Sequence, residues 1–240
     1  MTPIDRLAPA RRPERPVWGW QSWRQLLFMH WPVAVQALRE AVPRSFELDL
    51  HEGVAYVGVV PFAMLGVRPR FVPQVAALDF LETNVRTYVL RRGEPGVYFF
   101  SLEAASRLAV AAARAAFALP YHHAQMSLEQ HATLSRYATR RSQSGVGHQV
   151  SYQVHEPLSA SVPGTLQHFL LERYLLFTER RGTPLRGQVH HTPYPVHRAE
   201  VLDVNDELVA AAGLPAVSGL PSHVHYSPGV DVEVFALEAV

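Results

Sequence analysis

The chain has 240 residues, 48% of them hydrophobic, which is enough to bury a substantial core in one large domain or two small ones. Its 22 cationic side chains are all arginine against 21 carboxylates, so the net charge of +1 supplies no field that would select nucleic acid or an anionic membrane as a partner. Cysteine and lysine are both absent, which excludes disulfides, thiolate metal sites and any imine formed on a lysine amine.

Residues 1–17 are rich in proline and arginine with no periodic apolar face. They predict a flexible tail or an arm lying on the surface, ahead of a single domain over 18–240. No leader-like segment and no apolar run of about 18 residues interrupts the pattern, so a cytoplasmic protein is expected. Pro32 suits the first turn of a helix, and Pro43 would stop it, predicting a helix between them after an extended piece over 23–30. Phe46, Leu48 and Leu50 alternate with polar residues, Glu52-Gly53 makes a turn, and 54–60 is a valine-rich run, predicting a hairpin. A clearer hairpin follows, with strands over 84–90 and 97–102 joined through 91–96. The alanine-rich stretch 103–119 predicts a helix ended by Pro120. A third hairpin pairs 132–139 with 148–154. Thr165 is a candidate cap for a helix over 166–179, Asn205 for a short one ending at Gly213, and 230–237 alternates as a strand. Strands outnumber helices, and the helices fall between hairpins rather than alternating with parallel strands. The expected fold is therefore α+β, one curved antiparallel sheet with a few packed helices.

Strand periodicity puts Glu82, Asn84, Arg86 and Tyr88 on one face. Lining a cavity, Arg86 would anchor a substrate carboxylate and Glu82 would serve as a general acid or base. Facing water, the row is an ordinary solvated sheet face, and the residues alone leave both readings open. Pro120-Tyr121-His122-His123 offers imidazoles for proton transfer, although adjacent side chains of an extended segment point to opposite faces; the alternative is a helix-ending turn. The His190-His191 and His223-x-His225 pairs match no established metal-ligand spacing, so no metal is expected. No Gly-x-Ser-x-Gly elbow, P-loop or dinucleotide glycine fingerprint is present, and no cofactor is expected.

Seven segments, LLFMHWPV (26–33), YVGVVPFAMLGVRPR (56–70), ETNVRTYV (82–89), PGVYFFSLEA (95–104), LPYHHAQMS (119–127), HFLLERYLLF (168–177) and HHTPYP (190–195), together resemble the YqjF-like family of bacterial proteins. That family is similar to the acetoacetate decarboxylase superfamily. The resemblance implies a cone-shaped, strongly bent sheet with a buried pocket, faced by Glu82, Asn84, Arg86 and Tyr88. It also implies that Tyr121 stands where the decarboxylases carry the imine lysine, that His122 stands at its lysine neighbour, and that Glu82 is similar to a pocket glutamate. Arg114, Arg173 and Tyr174 are candidates to complete the wall. The expected function is binding of a small carboxylate-bearing metabolite without Schiff-base chemistry. Glu82, Tyr121 and His122 would be available for proton transfer on a keto or hydroxy acid, and the alternative is a non-catalytic sensor or carrier. A homo-oligomer is compatible with the superfamily.

Overall fold

A computed structural model describes residues 4–117 and 119–240. In chain order they form β1 (Gly19–Val33), α1 (Val35–Ala41), β2 (Glu47–Leu48), β3 (Ala55–Pro69), β4 (Leu78–Arg91) and β5 (Glu94–Ala104). Next come α2 (Arg107–Phe117), β6 (Tyr121–His131), β7 (Leu134–Arg141), β8 (Gly147–Pro157), α3 (Leu166–Leu171) and β9 (Leu175–Arg180). The chain ends with β10 (Thr183–His190), β11 (His197–Asp206), α4 (Leu208–Ala211), β12 (His223–Val234) and β13 (Glu238–Ala239).

All the strands belong to one sheet, antiparallel except for two short parallel pairings of β5 with β6 and with β9. Two further pairings, β10 with β12 and β5 with β4, close the sheet on itself. The closure makes two lobes that share β1, β3, β4, β5 and β12. One lobe holds a packed core of Leu27, Met29, Val57, Val59, Val85, Tyr137 and Tyr152. The other holds a cluster that includes Leu26, Phe28, Val60 and Phe62 and surrounds a cavity. Successive residues of β1 and β3 thus bury into opposite lobes, and ten consecutive residues of β3, from Ala55 to Met64, are buried. A strand buried on both faces reads as a continuous apolar run, which explains the valines.

The tight turn Arg92-Gly93, with φ of 51° and 81°, joins the predicted β4–β5 hairpin. Several expectations are corrected. Pro32 does not start a helix: β1 runs through it to Val33. There β12 has already ended at the His30–His223 pair, so Pro32 sits where β1 is paired only with β3 and its missing N–H is tolerated. The Glu52-Gly53 turn forms, but β2 pairs with β4 rather than β3. The helix predicted from 103 begins at Arg107, because Glu103 and Ala104 complete β5 and Ser106 Oγ accepts from the Ala109 N–H; residue 118 lies outside the described residues. Residues 166–179 are not one helix. Thr165 caps α3 as expected, accepting from the His168 N–H at 3.3 Å, but the chain turns at Glu172-Arg173 and becomes β9 between β5 and β10. Asn205 does not cap α4: it lies inside β11, which runs to Asp206, and it is the Asp206 Oδ2 that accepts from the Val209 N–H in the first turn of α4.

Residues 4–17 lie against the body. Arg6 forks onto Asp49 with two 2.7 Å bonds, Pro9 is buried, and Arg12 pairs with Glu233. No helix among the described residues is long and apolar enough to cross a membrane.

Candidate ligand-binding site

The cavity has a volume of about 490 Å³. One wall is β4, whose alternate residues Leu78, Phe80, Glu82, Asn84 and Arg86 all line it, as period two requires. The row runs inward, since Leu78 and Phe80 are partly exposed while every residue from Glu82 to Val89 is buried. The paired β3 row, Phe62 opposite Glu82 and Val60 opposite Asn84, contributes apolar surface beside it. Helix α2 lies over the opening and turns Ala109, Ala112, Ala113 and Ala116 to the cavity, a helical face of methyl groups.

Four polar side chains define the chemistry. Glu82 is 3% exposed, and Tyr121 Oη donates to its Oε2 at 3.0 Å. Burial raises the Glu82 carboxyl to about 8, opposed by the Tyr121 hydrogen bond and reinforced by the charge of Glu103, so Glu82 is largely neutral at pH 7. Burial and the neighbouring Glu82 push the Tyr121 phenol well above its ordinary value. Asn84 is buried, and its Oδ1 accepts no hydrogen bond from the described residues. Arg86 is 7% exposed and sits at the inner end of the row, with its guanidinium carbon 5.4 Å from the Phe28 ring centre. Its Nη2 donates to the Leu170 carbonyl at 3.1 Å, and its buried Nε has no partner among the described residues. Among the described residues it forms no ion pair, in contrast to Arg141, which holds Glu103, and Arg173, which holds Asp49.

Of the residues singled out in the sequence, the structure brings Glu82, Asn84, Arg86 and Tyr121 together on the cavity, and Arg173 and Tyr174 complete the wall. Tyr88 follows the same face but lies beyond the cavity. Its hydroxyl donates to the Leu170 carbonyl at 2.7 Å, so His30 Nε2, also at 2.7 Å, donates to the Tyr88 oxygen. Burial and the charge of Arg86 depress the His30 pKa well below its usual range, so the ring is the neutral tautomer that carries its proton on Nε2. Arg114 does not line the cavity; its Nε donates to the Tyr121 carbonyl at 2.7 Å, tying α2 to the start of β6. His122 is turned away from the cavity. The parallel register places Tyr121 beside the cavity residue Leu102 and His122 beside Glu103, on the opposite face of the sheet. Burial, then Arg141 and Arg114, lower the His122 imidazole to about 4. Tyr194, from the HHTPYP segment, also lines the cavity, and its backbone N–H donates to Glu172 Oε1. Sequence periodicity could not find it, because the stretch between β10 and β11 has none. Among the described residues no group of three or more histidines and carboxylates is arranged to hold a metal ion.

The family model for DUF2071, an uncharacterized conserved protein, matches residues 20–231. The chain belongs to the DUF2071 family. It is 36% identical over 216 residues to the uncharacterized protein YqjF of Bacillus subtilis (strain 168), covering 88% of each chain. Among solved structures it is similar to an acetoacetate decarboxylase, with a TM-score of 0.67 and 14% identity over 95% of this chain and 91% of that one. The acetoacetate decarboxylase of Legionella pneumophila gives 0.63 and 13% over 97% and 92%. The enduracididine biosynthesis enzyme MppR, complexed with pyruvate, gives 0.63 and 10% over 95% and 93%. The DUF2071 chain therefore has an acetoacetate decarboxylase-like fold.

Proposed function

We propose that this DUF2071 protein binds an organic carboxylate in the cavity through Arg86, with Glu82 and Tyr121 as a proton-exchanging pair and without imine chemistry. Arg86 carries the reading: it is a permanent charge, buried, lining the cavity, and without an ion pair among the described residues. An uncompensated buried charge costs several kcal/mol, and a carboxylate matches the guanidinium fork. Glu82, largely neutral at pH 7, adds little negative charge to oppose an anion. Asn84, next to Arg86 in the lining row, adds a neutral polar side chain to the wall. With no lysine anywhere in the sequence, the decarboxylase imine has no residue to form on. MppR, of similar fold, was solved with pyruvate, which is itself a carboxylate.

A carboxyl with a pKa of about 8 can exchange a proton near neutral pH, which favours acid–base chemistry on the bound acid. The apolar remainder of the wall suits a sensor or carrier that merely encloses its ligand. Both readings require Arg86. A thermal-shift panel of carboxylates on wild type and Arg86→Met tests it: wild type is expected to gain about 5–10 °C at a hundredfold excess over Kd, and the variant to lose that gain. Hits that stabilise both proteins equally would show that Arg86 is not the anchor.

A further inference from the structure

The cavity is much larger than a three-carbon acid, and Arg86 and Glu82 leave the sheet at well-separated points of β4. At about 30 Å³ per water-sized group, 490 Å³ takes on the order of 16 non-hydrogen atoms. A three-carbon keto acid fills well under half of that. Arg86 and Glu82 are four residues apart on one strand, so their backbones are separated by about 13 Å. The electrostatics agree with this spacing, because Arg86 acts on Tyr88, His30 and Tyr194, whereas the charge acting on Glu82 is that of Glu103. A ligand whose carboxylate rests on Arg86 therefore meets the Glu82–Tyr121 pair well along its body, not at the carbon next to the carboxylate. Beyond Glu82 the wall is mostly apolar, with Phe80 and Leu78 on β4, the alanine face of α2, and Phe71, which lines the cavity although it is 76% exposed; its polar members there are Gln21 and Arg68, the latter stacked on Trp20 at 4.4 Å.

Resting on the carboxylate reading above, we infer that the ligand is an elongated, largely apolar monocarboxylate of roughly 10–16 non-hydrogen atoms, lying head-inward along β4. Its carboxylate is held at Arg86, its middle passes Glu82 and Tyr121, and its tail fills the space under α2. The four alanines of α2 are what leave room for that tail.

The test is a titration of straight-chain acids from acetate to hexadecanoate, each below its micelle-forming concentration, with pyruvate and decanol for comparison. Affinity is expected to rise by about fourfold per methylene until the cavity is filled, and then to level off. Ala113→Phe, which narrows the outer half, should weaken decanoate at least tenfold more than it weakens butanoate. Pyruvate or acetate binding as tightly as decanoate would overturn the length claim while leaving the Arg86 anchor standing. Decanol matching decanoate, on wild type and Arg86→Met alike, would overturn the head-inward pose and the carboxylate reading with it.

Discussion

Glu82→Gln is expected to make the protein about 5 kcal/mol more stable at pH 9 and to change little at pH 4. The Glu82 carboxyl titrates at about 8 in the folded protein against 4.5 for the ordinary side chain, chiefly because burial penalises its charged form. Below pH 4.5 both states hold the proton and the group is neutral to stability. Between 4.5 and about 8 the unfolded chain has released the proton while the folded one keeps it, so stability falls as pH rises. Above about 8 the folded protein carries a buried carboxylate, and the full difference is lost. The gap between about 8 and 4.5, at 1.36 kcal/mol per unit, gives the 5 kcal/mol. Glutamine keeps the acceptor for Tyr121 and cannot ionise, so subtracting wild-type from variant urea-unfolding free energies at each pH isolates Glu82 from every other titrating group. A difference that does not change between pH 4 and pH 9 would mean that Glu82 is not buried in an apolar wall.

Asp49→Ala is expected to destabilise the protein by about 3–5 kcal/mol, lowering Tm by about 10–15 °C. Asp49 is 3% exposed and sits between two arginines: Arg6 forks onto both its oxygens, and Arg173 Nη1 donates to Oδ2 at 2.8 Å. Arg173 lies in the cavity wall, stacked on Phe169 and Tyr88 with its guanidinium carbon 4.3 and 4.8 Å from the ring centres. Burial already pulls its pKa down, and Asp49 is the first partner opposing that. Removing the carboxylate leaves a buried cation uncompensated and releases the N-terminal arm from its anchor. Arg6→Ala, which removes only the outer partner and leaves Arg173 paired, should cost about 1 kcal/mol. Equal losses for the two variants would place the stabilisation in the arm rather than in the buried pair.

The β4 wall was legible because period two is a local property: Glu82, Asn84 and Arg86 share a face whatever surrounds the strand. How deep that face runs is not local. Tyr88 obeys the same period yet passes the end of the cavity, where His30 and the Leu170 carbonyl from distant segments consume its hydroxyl. The resemblance to the decarboxylases suggested both Tyr121 and His122 for the pocket, but neighbouring side chains on a strand face opposite ways, and only Tyr121 reaches it. Leu170, Tyr174 and Phe177 satisfy helical spacing, while Leu175 and Phe177 satisfy strand spacing equally well. What decides between them is the gap between β5 and β10 that β9 fills, which no local pattern encodes. The alanine helix was legible as a helix, but its role in leaving space over the cavity depends on which face turns inward.

The most direct measurement is a crystal structure with a bound carboxylate chosen from the titration series. The carboxylate is expected to lie within bidentate hydrogen-bonding distance of the Arg86 guanidinium, about 2.7–2.9 Å from nitrogen to oxygen, with its chain running past Glu82 toward α2. A ligand bound with its carboxylate at the opening and its apolar end against Arg86, or bound outside the cavity altogether, would contradict the assignment.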